Sequence, residues 1–188
     1  MSRETHPDLV EAESSFLLVI DYQEGYRRAL HEWDATIERA SILIRGAERL
    51  GIPVLYTEQY PQGVGPTCAE IQDVLPDGAK RFEKRTMSAL GAPGLADWIE
   101  HLKLRHAIVA GIETHACINQ TAHELLAAGY RVHLPVDTLS SRQVLEHEQG
   151  LEKMLRSGAL ASSVEQVLLE ALRSADHPEF KAVQQLIK

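Results

Sequence analysis

HAIVAGIETHACINQTAHELLAAG, residues 106–129, opens as an unbroken apolar run from Ala107 to Ile112 and breaks at Glu113-Thr114-His115. It then resumes with helical spacing through Ala122, Leu125 and Leu126 to Gly129. A short apolar run followed by a 3.6-residue period reads as strand, turn and helix. The turn carries Cys117, one of two cysteines in the chain. With Thr114 as N-cap, Cys117 falls in the first helical turn, where free backbone N–H groups and the helix dipole favour a negative charge. A thiolate there is expected to have a lowered pKa. The competing reading is a small, inert, packed cysteine.

Working outward, the same grammar repeats. Phe16 to Ile20 is a continuous apolar strand ending at Asp21, the pattern of a parallel sheet covered on both faces. Ile37, Ala40, Leu43, Ile44, Ala47 and Leu50 mark a helical stripe stopped by Gly51 and Pro53. Residues 53–57, 80–85, 130–136 and 159–163 supply further strands, and helices are expected over 94–105, through 156, through 172 and over 178–187. Ser140 with Gln143 and Ser162 with Glu165 read as capping boxes. Strands alternating with helices predict an α/β fold: a three-layer α/β/α sandwich with a mostly parallel six-stranded sheet, Rossmann-like in its crossovers. Residues 1–14 read as a polar arm and 15–188 as a single domain.

The bulk numbers narrow the class. A net charge of −8 argues against nucleic acid or an anionic membrane as the main partner. The apolar runs are too short to span a bilayer, and the polar, acidic start does not read as a signal peptide. Two distant cysteines form neither a disulfide framework nor a CxxC site, so a reducing, cytoplasmic setting is expected.

In a parallel α/β sheet, ligands bind beyond the carboxyl ends of the strands. Those ends carry Asp21, Glu58, Lys84, Cys117 and Asp137, which places all five on one edge. A cysteine nucleophile needs a base for its proton and a cation near its charge. Asp21 fits the first role and Lys84 the second. The N–H of Cys117 with a neighbouring turn N–H would make an oxyanion hole, worth roughly 3 kcal/mol per donor in hydrolases. Helix spacing puts His115 and Cys117 on different faces, so His115, Cys117 and His123 are not expected to hold zinc. The QGVGP loop at 62–66 lacks a phosphate-loop pattern and reads as a lid or pocket wall.

VIDYQ at 19–23, the EK pair at 83–84 and GIETHACINQTA at 111–122 resemble the isochorismatase-like cysteine hydrolases. TEQYPQGVGPT at 57–67 and VDTLSSR at 136–142 resemble the isochorismatase domain-containing subgroup. The similarity runs from about residue 15 to about residue 160. It implies an Asp-Lys-Cys catalytic triad at Asp21, Lys84 and Cys117, and a cis peptide between Ile112 and Glu113 in the catalytic turn. It also places Gln23, Tyr60, Met87 and Thr114 around a substrate pocket and points to a homo-oligomer. Nicotinamidases of the family hold a metal on an Asp-x-His pair after the second strand. Here that position reads Glu58-Gln59-Tyr60, so neither metal nor cofactor is expected. Isochorismatase itself lacks the cysteine, so Cys117 directs the expectation to hydrolysis of an amide-type C–N bond in a small molecule, through a thioester. The alternative is a family member with little turnover that binds small molecules or acts as a scaffold. Iodoacetamide labelling of Cys117 faster than Cys68, with the contrast erased in Asp21→Asn, would separate the two.

Overall fold

The structure is a computed structural model and describes residues 6–188. In chain order its strands are β1 (Ser15–Ile20), β2 (Val54–Gln59), β3 (Lys80–Lys84), β4 (His106–Ile112), β5 (Arg131–Pro135), β6 (Leu139–Ser140) and β7 (Leu160–Ser162). The helices are α1 (Trp33–Arg49), α2 (Pro61–Val64), α3 (Ala69–Gln72), α4 (Leu95–Leu102), α5 (Asn119–Ala127), α6 (Val144–Arg156), α7 (Val164–Leu172) and α8 (Phe180–Leu186). The sheet runs β3-β2-β1-β4-β5-β7, with β6 on β4, and every strand pair is parallel. The expected six strands are therefore seven. The extra one is the two-residue β6, where Leu139 and Ser140 lie against Gly111 and Ile112. It is too short to leave a periodic signal.

Alternation along each strand splits the core into two layers. Leu17 and Val19 pack under α1 and α7 with Ile37, Ile44 and Leu168. Phe16, Leu18 and Ile20 pack under α4 and α5 with Leu95, Ile99 and Leu125. Strand order reverses between β1 and β4, since β2 and β3 lie on one side of β1 and β4 and β5 on the other. Such a switch point opens a crevice at the carboxyl ends. Asp21 follows β1 and the Cys117 turn follows β4.

Three local expectations are corrected. Residues 1–5 of the expected polar arm lie outside the described residues, and the remainder is not loose: Val10 is buried and its N–H donates to Glu170 Oε2 at 2.9 Å. Ser140 does not cap α6, because its hydroxyl donates to the His31 carbonyl at 2.6 Å. The cap of α7 is Ser163 rather than Ser162, accepting from the Gln166 N–H.

At the opposite edge of the sheet, His106 Nδ1 and His133 Nε2 lie 2.9 Å apart in a buried, stacked pair. Burial, followed by the charge of His106, pushes His133 down to about 4. A histidine near 6.5 in the unfolded chain then binds more protons unfolded than folded across that window. Stability is full above about pH 6.5 and falls by about 1.4 kcal/mol per pH unit down to about pH 4. The expected loss over the window, about 3 kcal/mol, is read by urea unfolding at stepped pH. His133→Asn should flatten that part of the profile, and an unchanged slope would show the pair plays no part.

Candidate active site

The α4/α5 face of the sheet carries the site. Strand alternation puts Thr57 and Gln59 of β2 on that face with Leu55, while Glu58 points to the other. Lys84, the last residue of β3, reaches across β2. Its Nζ lies 2.6 Å from Asp21 Oδ2 and 3.3 Å from Cys117 Sγ. The ammonium also donates to Gln59 Oε1 at 2.5 Å and to the Thr86 and Met87 carbonyls at 3.2 Å each. Asp21 sits in the left-handed region with φ 58°, a conformation that costs a non-glycine residue about 1–3 kcal/mol. Thr57 Oγ1 donates to its Oδ1 at 2.7 Å. Asp21 and Lys84 are both buried, and Cys117 is 5% exposed.

The thiol is not the low-pKa thiolate the sequence suggests. Burial, then the adjacent Asp21 carboxylate, pushes Cys117 up to about 12, only partly offset by Lys84. The ammonium lies closer to Asp21 than to sulfur, so its charge is largely committed to the carboxylate. Cys117 rests as a neutral thiol beside the Asp21 carboxylate. Cys68 is pushed up to about 11 by burial, with the Glu70 and Glu24 carboxylates adding to the shift.

The turn after β4 is also not the expected capped α-helix. Thr114–Ile118 form a π-type turn that leads into α5, entered through a cis peptide between Ile112 and Glu113. Thr114 makes no cap. It is fully buried, donates to the Ser140 carbonyl at 3.1 Å and meets His147 Nδ1 at 2.9 Å. The flanking amides of Ala116 and Ile118 both donate to the Glu113 carbonyl, so neither joins Cys117 in an oxyanion hole here. Glu113 Oε2 accepts from the Arg142 backbone and side chain at 3.1 and 3.0 Å. α6 presses on this turn at Gly150, where a Cβ would come 2.7 Å from His115 Cα.

Gln23, expected in the pocket, is buried and acts as a staple. Its amide accepts from the Gln59 N–H at 2.7 Å and donates to the Gln59 and Gly65 carbonyls at 3.0 and 2.6 Å. Tyr60 does line a pocket of about 430 Å³, with Gln62, Lys84, Arg85, Thr86 and Gly91 among its walls. Met87 stands exposed nearby in sequence, and its carbonyl holds Lys84. Of the five strand-end residues, two serve the scaffold. Glu58 binds Thr67 and Arg81, and Asp137 accepts from the Val164 N–H and Arg39. His115 and His123 turn to different partners, Ser141 and Asn119. Among the described residues no three metal-ligating side chains cluster.

Sequence reasoning missed four residues. Thr57 and Gln59 flank Glu58, and strand alternation would have pointed to them. Thr121 Oγ1 donates to the Cys117 carbonyl at 2.7 Å and accepts from the Ala89 N–H at 2.8 Å, tying the cysteine turn to the segment after Lys84. Tyr26 lies in an irregular segment that gave no signal. Its phenol is pushed up to about 12 by burial, then by the charge of Asp21.

The fold is an α/β sandwich on a parallel sheet, with an acid, an amine and a thiol gathered at its switch point. The isochorismatase domain family matches residues 15–166. Isochorismatase domain-containing protein 2 of Xenopus laevis is 38% identical over 175 residues, covering 93% of this chain and 83% of that protein. A structure described as the MAR1 ribonuclease of Caenorhabditis elegans superposes with a TM-score of 0.91 at 34% identity, covering 95% of this chain and 92% of that one. The Escherichia coli YcaC gene product, described as an octameric hydrolase of unknown specificity, shares the fold with a TM-score of 0.83 at 18% identity, covering 94% of this chain and 95% of that one. The chain belongs to the isochorismatase family.

Proposed function

We propose that this protein is a cysteine hydrolase of small molecules that cleaves an amide-type C–N bond with Asp21, Lys84 and Cys117 as its catalytic residues. The observation that carries the reading is the Lys84 ammonium placed 2.6 Å from Asp21 Oδ2 and 3.3 Å from Cys117 Sγ. Asp21 takes the thiol proton as Sγ attacks the carbonyl carbon. The C–N bond then breaks, and the leaving amine takes that proton from Asp21. Water attacks the thioester, Asp21 accepts its proton, and the carboxylic acid departs as sulfur recovers a proton. Lys84 holds Asp21 in place and balances charge as it shifts from carboxylate to sulfur.

The name ribonuclease carried by the Caenorhabditis elegans relative raises RNA as a substrate. The net charge of −8 and a Cys117 residue only 5% exposed favour a small molecule. Two free cysteines suit a reducing compartment such as the cytoplasm. Val144 and Leu145, exposed at the start of α6, offer apolar surface for contact between copies in a homo-oligomer.

The test is a screen of small primary amides and carbamoyl compounds with intact-mass detection after rapid quenching. An acyl adduct on Cys117, absent in Cys117→Ala, is the expected result. Turnover that survives Cys117→Ala would contradict the mechanism, and no turnover with reversible binding would favour a binding protein.

A further inference from the structure

Beside the Asp21–Lys84–Cys117 cluster, the side chain that follows Lys84 stands out. The Arg85 guanidinium lies 4.1 Å from the centroid of the Tyr60 ring, and among the described residues no carboxylate pairs with it. Its neighbour Arg81 instead holds both Glu58 and Glu83.

The platform under Arg85 is built rather than incidental. Tyr60 is held in the left-handed region at φ 36°. Its ring packs on Gly63, where a Cβ would come 2.4 Å from Tyr60 Cε1, so any larger residue would displace the ring. The Gln59 amide ties this platform to the cluster: its Nε2 donates to the Arg85 carbonyl at 3.2 Å while its Oε1 accepts from Lys84 Nζ. Tyr60, Lys84 and Arg85 all line the 430 Å³ pocket. The other charges there are spent, because Glu83 is paired with Arg81 and Lys84 with Asp21. A planar guanidinium with free donors, held on an aromatic face, matches a carboxylate and leaves apolar surface for the body of a ligand.

We infer that Arg85 is a specificity residue, and that the substrates of this site are small amides bearing an anionic group, a carboxylate in the first instance, that docks on Arg85. The inference rests on the hydrolase reading for the word substrate, but its binding claim is separable.

Benzoate and its neutral, non-hydrolysable isostere nitrobenzene are the probes, titrated by calorimetry into the wild-type protein, Arg85→Gln and Arg85→Lys. Charge-assisted pairing should make benzoate bind about tenfold more tightly than nitrobenzene to wild type. That preference should vanish in Arg85→Gln and survive in part in Arg85→Lys. Benzoate should also slow iodoacetamide labelling of Cys117 in wild type but not in Arg85→Gln. Equal binding of the two probes, absence of saturable benzoate binding, or a preference that persists in Arg85→Gln would overturn the proposal. Benzoate binding that depends on Arg85 but leaves Cys117 labelling untouched would overturn the substrate assignment. None of these outcomes bears on whether Cys117 forms an acyl adduct, so the hydrolase reading stands or falls separately.

Discussion

Asp21→Asn should abolish turnover while making Cys117 easier to ionise. The amide side chain has nearly the same shape, so packing is retained, but it accepts no proton. Loss of a general base lowers rate by about 10²–10⁴-fold, and here the same group serves both half-reactions. The charge that raises the thiol, second only to burial, also disappears. Lys84, 3.3 Å from sulfur, is then released from its carboxylate and turns to the thiolate. Alkylation by iodoacetamide followed against pH should therefore show Cys117 of Asp21→Asn titrating well below the wild-type thiol, even as amide hydrolysis is lost. This replaces the simpler expectation that the substitution only erases the labelling contrast with Cys68. Asp21→Asn with full activity would remove the aspartate from the mechanism.

Lys84→Met should be the most destabilising single change at the site. Its partner Asp21 is buried, and removing one member of a buried ion pair costs about 3–5 kcal/mol, because the other charge is left uncompensated. The pair is asymmetric. Without Asp21, the ammonium keeps three oxygen acceptors, from Gln59, Thr86 and Met87. Without Lys84, the carboxylate keeps only the Thr57 hydroxyl and the weak Cys117 thiol as side-chain donors. Urea unfolding should therefore rank Lys84→Met below Asp21→Asn in stability, and the double variant Asp21→Asn/Lys84→Met above Lys84→Met alone. Equal losses in both single variants would show that the surrounding oxygens do not share the load.

Much of this was legible in the chain because the fold writes itself in apolar runs. Six of the seven strands, the parallel sheet and the edge that gathers Asp21, Lys84 and Cys117 follow from period and punctuation. Local polar chemistry was harder to read. Thr114 looked like a cap because residue type alone favours it there, but its hydroxyl is used across the chain by Ser140 and His147. Glu58 and Asp137 looked like site residues because strand ends attract ligands. Their side chains face away from the cluster, and the working neighbours Thr57 and Gln59 were overlooked. The thiol's ionisation depends on how the Lys84 charge divides between two partners at 2.6 and 3.3 Å, which only the assembled geometry reveals.

The rate of Cys117 alkylation by iodoacetamide across pH, with Cys68 as the internal reference, tests most directly that a neutral thiol is served by a neighbouring carboxylate. The expected result is a rate well above that of Cys68 and flat from about pH 6 to about pH 9, because Asp21 takes the proton and the thiol's own ionisation lies far higher. A rate climbing about tenfold per pH unit across that range, as for a raised thiol that reacts only through its own ionisation, would contradict the account, as would equal labelling of Cys117 and Cys68.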